Sequence, residues 1–200
     1  FKAHRVGTNV GTGRLDLRDP HRGVGGVWLG WAFNALTAVL ATVSLFLYAF
    51  IYTPLKKVSS LAVLMGAIPG ALPCLIGWTA GEGELSAGGW IVFAFQFLWQ
   101  FPHFWAIAWM LHDDYQKAGY WLLPSGGGRD KKSAYQILIY TVILNLVSLM
   151  PLLYGLSSVK VLIVILPLCL YFFFKSLQLF KTLEIKDARK LLYASFLYTP

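Results

Sequence analysis

The chain is a succession of apolar runs, each long enough to cross a bilayer, joined by short polar segments. Five runs read as helices, at about 33–53, 59–80, 89–111, 133–154 and 159–180, and another begins near 191. A hydrocarbon core about 30 Å thick takes about 20 apolar residues at a rise of about 1.5 Å each. No water is available there to hydrogen-bond the backbone, so each segment must satisfy its own N–H and C=O groups. The expected fold is therefore all-α, a polytopic transmembrane helical bundle in contact with the lipid bilayer.

Composition excludes the main alternatives. The 200 residues are 57% hydrophobic and 13% charged, whereas a soluble domain carries about a quarter charged residues. A net charge of +8 would raise the question of nucleic acid in a soluble protein, but here the surplus lies in short inter-helix segments and no nucleic-acid partner is expected. Cys74 and Cys169 both sit in apolar runs. They lack the spacing of a disulfide framework, a zinc site or a haem-attachment motif and read as small buried residues.

The polar segments alternate in charge. Lys56 and Lys57 follow the first run, and Glu82 and Glu84 follow the second; Lys117, Arg129, Lys131 and Lys132 follow the third, Lys160 the fourth, and Lys181, Lys186, Arg189 and Lys190 the fifth. The positive-inside rule puts the Lys56/Lys57 segment, residues 113–132 and residues 181–190 on the cytoplasmic side. Residues 1–32 are the least legible part, with five basic residues and two aspartates scattered among glycines without helical periodicity. They are expected to stand apart from a transmembrane unit at 33–200.

Two runs carry more than apolar filling. The second holds Gly66, Gly70 and Gly77 with Pro69 and Pro73, a pattern of close helix packing and of a broken or kinked helix. In the third, Gln96, Gln100 and His103 fall at i, i+4 and i+7 and make one face polar. Such a face is costly in lipid unless it meets a cavity or bonds neighbouring helices. Asp113 and Asp114 follow, about 15 Å along the axis from His103. An acidic pair of this kind can bind a magnesium ion together with substrate phosphate oxygens. Lys56, Lys57, Lys117 and Arg129 are candidates to neutralise a phosphate or a departing pyrophosphate.

The segments YTPLKK (52–57), GAIPGALPCLIGW (66–78), FLWQFPHFWAIAWMLHDDYQKAG (97–119) and LLPS (122–125) together resemble the haem O synthase family of UbiA-type intramembrane prenyltransferases. The resemblance implies a partial UbiA-like bundle of an enzyme that transfers farnesyl from farnesyl diphosphate to a vinyl group of haem B, making haem O for terminal oxidases. It implies Mg2+ bound with the diphosphate on Asp113 and Asp114, and catalytic roles for Asp113, Asp114, Lys56 and Lys57. Tyr52, His103 and Tyr115 are the implied substrate-binding residues, with His103 contacting haem, and the polar face and loop charges add Gln100, Lys117 and Arg129 to them. A bacterial cytoplasmic membrane, and haem A synthase or a terminal oxidase assembly as partners, follow from the same likeness. The family's first acidic motif has no counterpart, since Asp16 and Asp19 do not fit it. The chain is thus expected to be an N-terminally truncated piece that makes no haem O alone, with residues 1–32 either a frame error or the remnant of a loop and third helix. A quinone-precursor prenyltransferase stays open as an alternative, as does a transporter or non-catalytic oxidase-associated subunit. A transporter should show paired broken helices in two related halves, and only one such helix is evident.

Overall fold

The computed structural model describes residues 20–55, 61–125 and 128–198. Lys56, Lys57 and residues 1–19 lie outside the described residues. The described chain is all-helical: α1 (Pro20–Ala32), α2 (Ala35–Phe46) running on through a π-helix (Leu47–Tyr52) into α3 (Thr53–Leu55), α4 (Leu61–Glu82), α5 (Ala87–Met110), α6 (His112–Lys117), α7 (Lys131–Val147), α8 (Met150–Leu153), α9 (Leu162–Thr182) and α10 (Ile185–Tyr198). Five stretches, Ala35–Leu55, Val63–Glu82, Ala87–Met110, Lys131–Leu153 and Val159–Thr182, are long and apolar enough to span a membrane. This is a multi-pass integral membrane protein.

Helices α5, α7, α9 and α10 close a four-helix ring, each packed on the next, and α4, α2 and α1 extend from α5 as a row. Phe101, Trp105 and Trp109 of α5 meet Ile137 and Leu144 of α7 and Phe172 of α9 in the ring's core. Lipid is as apolar as these side chains, so the ring is held by close packing and by bonds between helices rather than by exclusion of water. At one end Tyr198 donates to Asn145 Oδ1 at 2.9 Å and lies 2.6 Å from Ser148 Oγ. Asn145 Nδ2 in turn donates to the Cys169 carbonyl at 3.0 Å.

The long uncharged stretch before residue 55 divides at Asn34. Its side chain caps α2 by accepting from Thr37 N–H at 2.8 Å and donates to the Thr79 carbonyl of α4 at 2.7 Å. Upstream, α1 is helical although its glycines hide any periodicity, and Pro20 sits where a missing N–H costs nothing.

Prolines shape the row without breaking it. Helix α4 continues through Pro69 and Pro73, so it is not broken as the proline pattern allowed. Pro73 cannot bond the Pro69 carbonyl one turn back, and Ser44 Oγ of α2 supplies that donor at 3.2 Å. Pro54 likewise leaves the Phe50 carbonyl without its donor, and the preceding turn widens to the π form. Thr53 covers the displaced Tyr48 carbonyl with both its N–H and its hydroxyl, the latter at 2.9 Å.

The sixth apolar segment begins earlier than its composition suggests. Helix α10 starts at Ile185, and its charges are sorted by face. Lys186, Arg189 and Lys190 are exposed, while Asp187 is 1% exposed. The Asp187 carboxylate accepts from Thr182 Oγ1 at 2.7 Å, Gln178 Nε2 at 2.9 Å and Lys190 Nζ at 2.9 Å. Burial pushes its pKa up, but the bonds from Lys190 and Thr182 and the charges of Lys190 and Lys186 outweigh it and hold the group below the usual carboxylate range. A depressed native pKa means the stabilisation is complete above the unfolded value of about 3.9 and is lost as pH falls through the native one. Asp187→Ala should cost about 1–3 kcal/mol, because a buried acceptor shared by three donors is lost, although Thr182 and Lys190 can turn to water. Thermal unfolding in detergent should show this loss near pH 7 and a narrowing gap from wild type below about pH 4. Equal melting temperatures at pH 7 would contradict the role given to this carboxylate.

Candidate functional site

The site gathers where α2, α4 and α5 reach the basic end of the bundle. Tyr52, carried by the π-helix, lies within electrostatic reach of Tyr115 on α6 and of Tyr120 just beyond it. Two segments distant in sequence, those of Tyr52 and of Tyr115, are therefore near one another. Between α2, α4 and α5 a cavity of about 610 Å³ opens, with Tyr48, Tyr52, Gly66, Gly70, Gln100 and Phe104 among its walls. Two glycines make room for it. A Cβ on Gly66 would stand 2.7 Å from the Tyr52 ring, and one on Gly70 would collide with Gln100 Oε1. Gln100 is buried and donates to the Ala67 carbonyl of α4 at 3.1 Å.

His103 faces another way. Its Nδ1 lies 2.8 Å from Ser195 Oγ on α10, and its ring stacks on Trp99 at 4.4 Å. Ser195 directs its hydroxyl proton to the Leu192 carbonyl at 2.6 Å, so the hydrogen-bond network assigns the His103 proton to Nδ1 and leaves Nε2 as the acceptor. Trp99 Nε1 also donates to the Ser195 carbonyl at 3.0 Å. The polar stripe read along α5 thus divides: Gln100 bonds α4 and lines the cavity, whereas His103 bonds α10. A single channel passing both residues is not what these contacts describe. Three residues on a helix turn the side chain by about 300°, which sets the two about 60° apart, enough to meet different neighbours. Ser195 was not singled out in the sequence; one serine in a short amphipathic helix carries no signal until its partner is known.

The acidic pair occupies the first turn of α6, and its two members differ. Asp113 is clamped by Arg129, whose Nη1 lies 3.2 Å from both carboxylate oxygens. The same guanidinium donates from Nε to the Trp109 carbonyl at 2.7 Å and from Nη2 to the Met110 carbonyl at 3.3 Å. Arg129 therefore caps the end of α5 and ties it to Asp113, work that a sequence reading as a phosphate ligand did not anticipate. Asp114 is open: its side chain is 75% exposed and meets Lys117 only at 3.6 Å, an exposed pair of little energetic weight. Among the described residues no three His, Cys, Asp or Glu side chains cluster as a ready metal cage. Asp114 with Asp113 matches what Mg2+ takes from protein, one or two carboxylates, the rest of its shell being water and substrate oxygens.

The return of Arg129 depends on Gly128. Its φ of +115° lies outside the range of other residues, and a Cβ there would stand 2.7 Å from His112 Nε2. Asp130 then caps α7 by accepting from Ser133 N–H at 2.7 Å. Burial raises its pKa, but bonds from the Ser133 N–H and the Ser125 and Ser133 hydroxyls, with the charge of Lys132, leave it below the usual range.

The described chain is thus a multi-pass helical bundle with a cavity among α2, α4 and α5. The chain belongs to the UbiA prenyltransferase family, which it matches over residues 23–199. It is similar to the protoheme IX farnesyltransferase of Cytophaga hutchinsonii, at 48% identity over 84% of this chain and 58% of that protein. It is 44% identical to the protoheme IX farnesyltransferase of Flavobacterium johnsoniae, over 86% of this chain and 59% of the relative. For that of Solibacter usitatus the identity is 41%, over 87% and 59%. The chain thus spans a little under three fifths of the length of the curated relatives it matches. No solved structure matches it.

Arg129→Gln should destabilise the protein by about 1–3 kcal/mol, since it leaves two helix-end carbonyls without their donor, while the exposed Asp113 carboxylate keeps its water. Arg129→Lys should recover part of this, because a point charge cannot fork to three acceptors. Hydrogen exchange of residues 107–118 should quicken in both variants and most in the glutamine one; unchanged exchange would refute the clamp.

Proposed function

We propose that this chain carries the farnesyl-transferring bundle of an enzyme that moves farnesyl from farnesyl diphosphate to haem B, forming haem O for terminal oxidases. The observation that supports the reading is that Tyr52, a wall of the apolar cavity, lies within electrostatic reach of Tyr115 on α6, the helix that also carries Asp113 and Asp114, and we take that side of the cavity as its mouth. The diphosphate would lie at this mouth and the farnesyl chain in the cavity, away from water. Magnesium, held by Asp114 and by Asp113 in its Arg129 clamp, would neutralise the leaving diphosphate. Lys117, 3.6 Å from Asp114, is proposed to add positive charge, and Lys56 and Lys57 to do so from the segment that follows α3. The ring faces of Phe104, Tyr48 and Tyr52 suit an allylic cation developing as the bond to the diphosphate breaks.

Haem as acceptor is supported by what the relatives are named for. His103 is proposed to contact haem through Nε2, the nitrogen left by its bond to Ser195. The basic loops are proposed to face the cytoplasm of a bacterium, with haem A synthase or a terminal oxidase assembly as downstream partners.

In lipid nanodiscs, labelled farnesyl diphosphate should be retained in a Mg2+-dependent way. Asp114→Asn should weaken retention about 10- to 100-fold, the weight of one charge-assisted contact to the ion and diphosphate. His103→Ala should leave that retention unchanged and weaken haem binding followed by absorbance. Retention indifferent to both Mg2+ and Asp114 would refute the diphosphate site. Haem binding indifferent to His103 would reduce this histidine to a bond between α5 and α10.

A further inference from the structure

A second place in the bundle combines charge with an apolar trough. Between the start of α7 and the end of α9 runs a groove of about 440 Å³ lined by Lys131, Lys132, Tyr135, Gln136 and Phe180. Its apolar wall is aromatic, with the Tyr135 and Phe180 rings 6.1 Å apart. Lys131 Nζ is held over the Phe180 face, 5.5 Å from the centroid, so one ammonium is already oriented at the groove's rim. Both lysines are exposed. Among the described residues neither forms an ion pair within 4.0 Å. Their nearest carboxylate in sequence, Asp130, is turned to the Ser133 N–H and to the hydroxyls of Ser125 and Ser133, and acts on Lys132 only through its charge.

The depth of the groove matters as much as its charge. Lys131 opens the span Lys131–Leu153, and Phe180 lies two residues from the end of the span Val159–Thr182. The lysines therefore stand at headgroup level and the rings at the upper acyl level. A soluble anion would leave the aromatic trough empty, and a zwitterionic headgroup would bring its own cation against two lysines. We propose that this groove binds an anionic phospholipid, its phosphate between Lys131 and Lys132 and one acyl chain along Tyr135 and Phe180. Basic pockets between transmembrane helices favour such headgroups.

The test is native mass spectrometry of the chain in detergent, titrated with phosphatidylglycerol or phosphatidylcholine. One phosphatidylglycerol should be held about 30-fold more tightly, each lysine contributing about fivefold. Lys131→Gln/Lys132→Gln should abolish the preference, and Phe180→Ala should weaken retention of either lipid. Lys181→Gln/Arg189→Gln removes the same charge from the same end of the bundle and should leave the preference intact. An equal loss in that control would mean a diffuse field rather than a site and would overturn the proposal, as would a preference that survives the Lys131/Lys132 change. Farnesyl diphosphate serves as a competing anion with an apolar tail. If it displaced phosphatidylglycerol at equal concentration, the groove would be a prenyl diphosphate subsite and the lipid assignment would fall.

Discussion

In an apolar medium a backbone carbonyl without a donor has no water to turn to, and this constraint organises the molecule. At three places where the helical ladder is interrupted or ends, a particular side chain meets the carbonyls concerned. Ser44 supplies the donor that Pro73 lacks, Thr53 covers the carbonyl displaced beside Pro54, and Arg129 takes up two carbonyls at the end of α5. These are also the residues that set the site. Ser44 fixes α2 on α4, Thr53 holds the widened turn that presents Tyr52, and Arg129 places Asp113.

The acidic pair illustrates how one dipeptide can be given two environments. Both aspartates lie in the first turn of α6, where a negative charge is favoured by the helix dipole. Asp113 is spent on the guanidinium that caps α5, while Asp114 projects into solvent with a loose lysine neighbour. A carboxylate clamped by an arginine thus sits next to an open one. The clamp also ties the start of α7 to the end of α5, since Gly128 gives the turn, Arg129 returns to α5, and Asp130 caps α7.

Helix α5 is the hub because it packs on α4, α7 and α10 at once. Its polar residues are divided among these neighbours. Gln100 bonds α4 opposite Gly70, His103 and Trp99 both reach Ser195 on α10, and the backbone end is held by Arg129 from the loop before α7. With several such bonds each worth about 0.6–2 kcal/mol in a membrane, the register of three interfaces is specified by a handful of side chains.

What the sequence determined by itself was what can be read along one line. The apolar runs of 33–53 to 159–180 set the helical, membrane-spanning class, because the thickness of the hydrocarbon core converts directly into residue number. The alternating loop charges and the pairing of Asp113 and Asp114 singled out one end as the candidate site. The motifs carried the family. Only the tertiary structure decided which groups share an interface: that Gly66 is small for Tyr52 and Gly70 for Gln100, that Arg129 serves Asp113 and α5, and that His103 turns to Ser195. These pairings join residues separated by 14 to 92 positions. No local periodicity encodes them, because the rotation of each helix about its axis is set by packing against its neighbours.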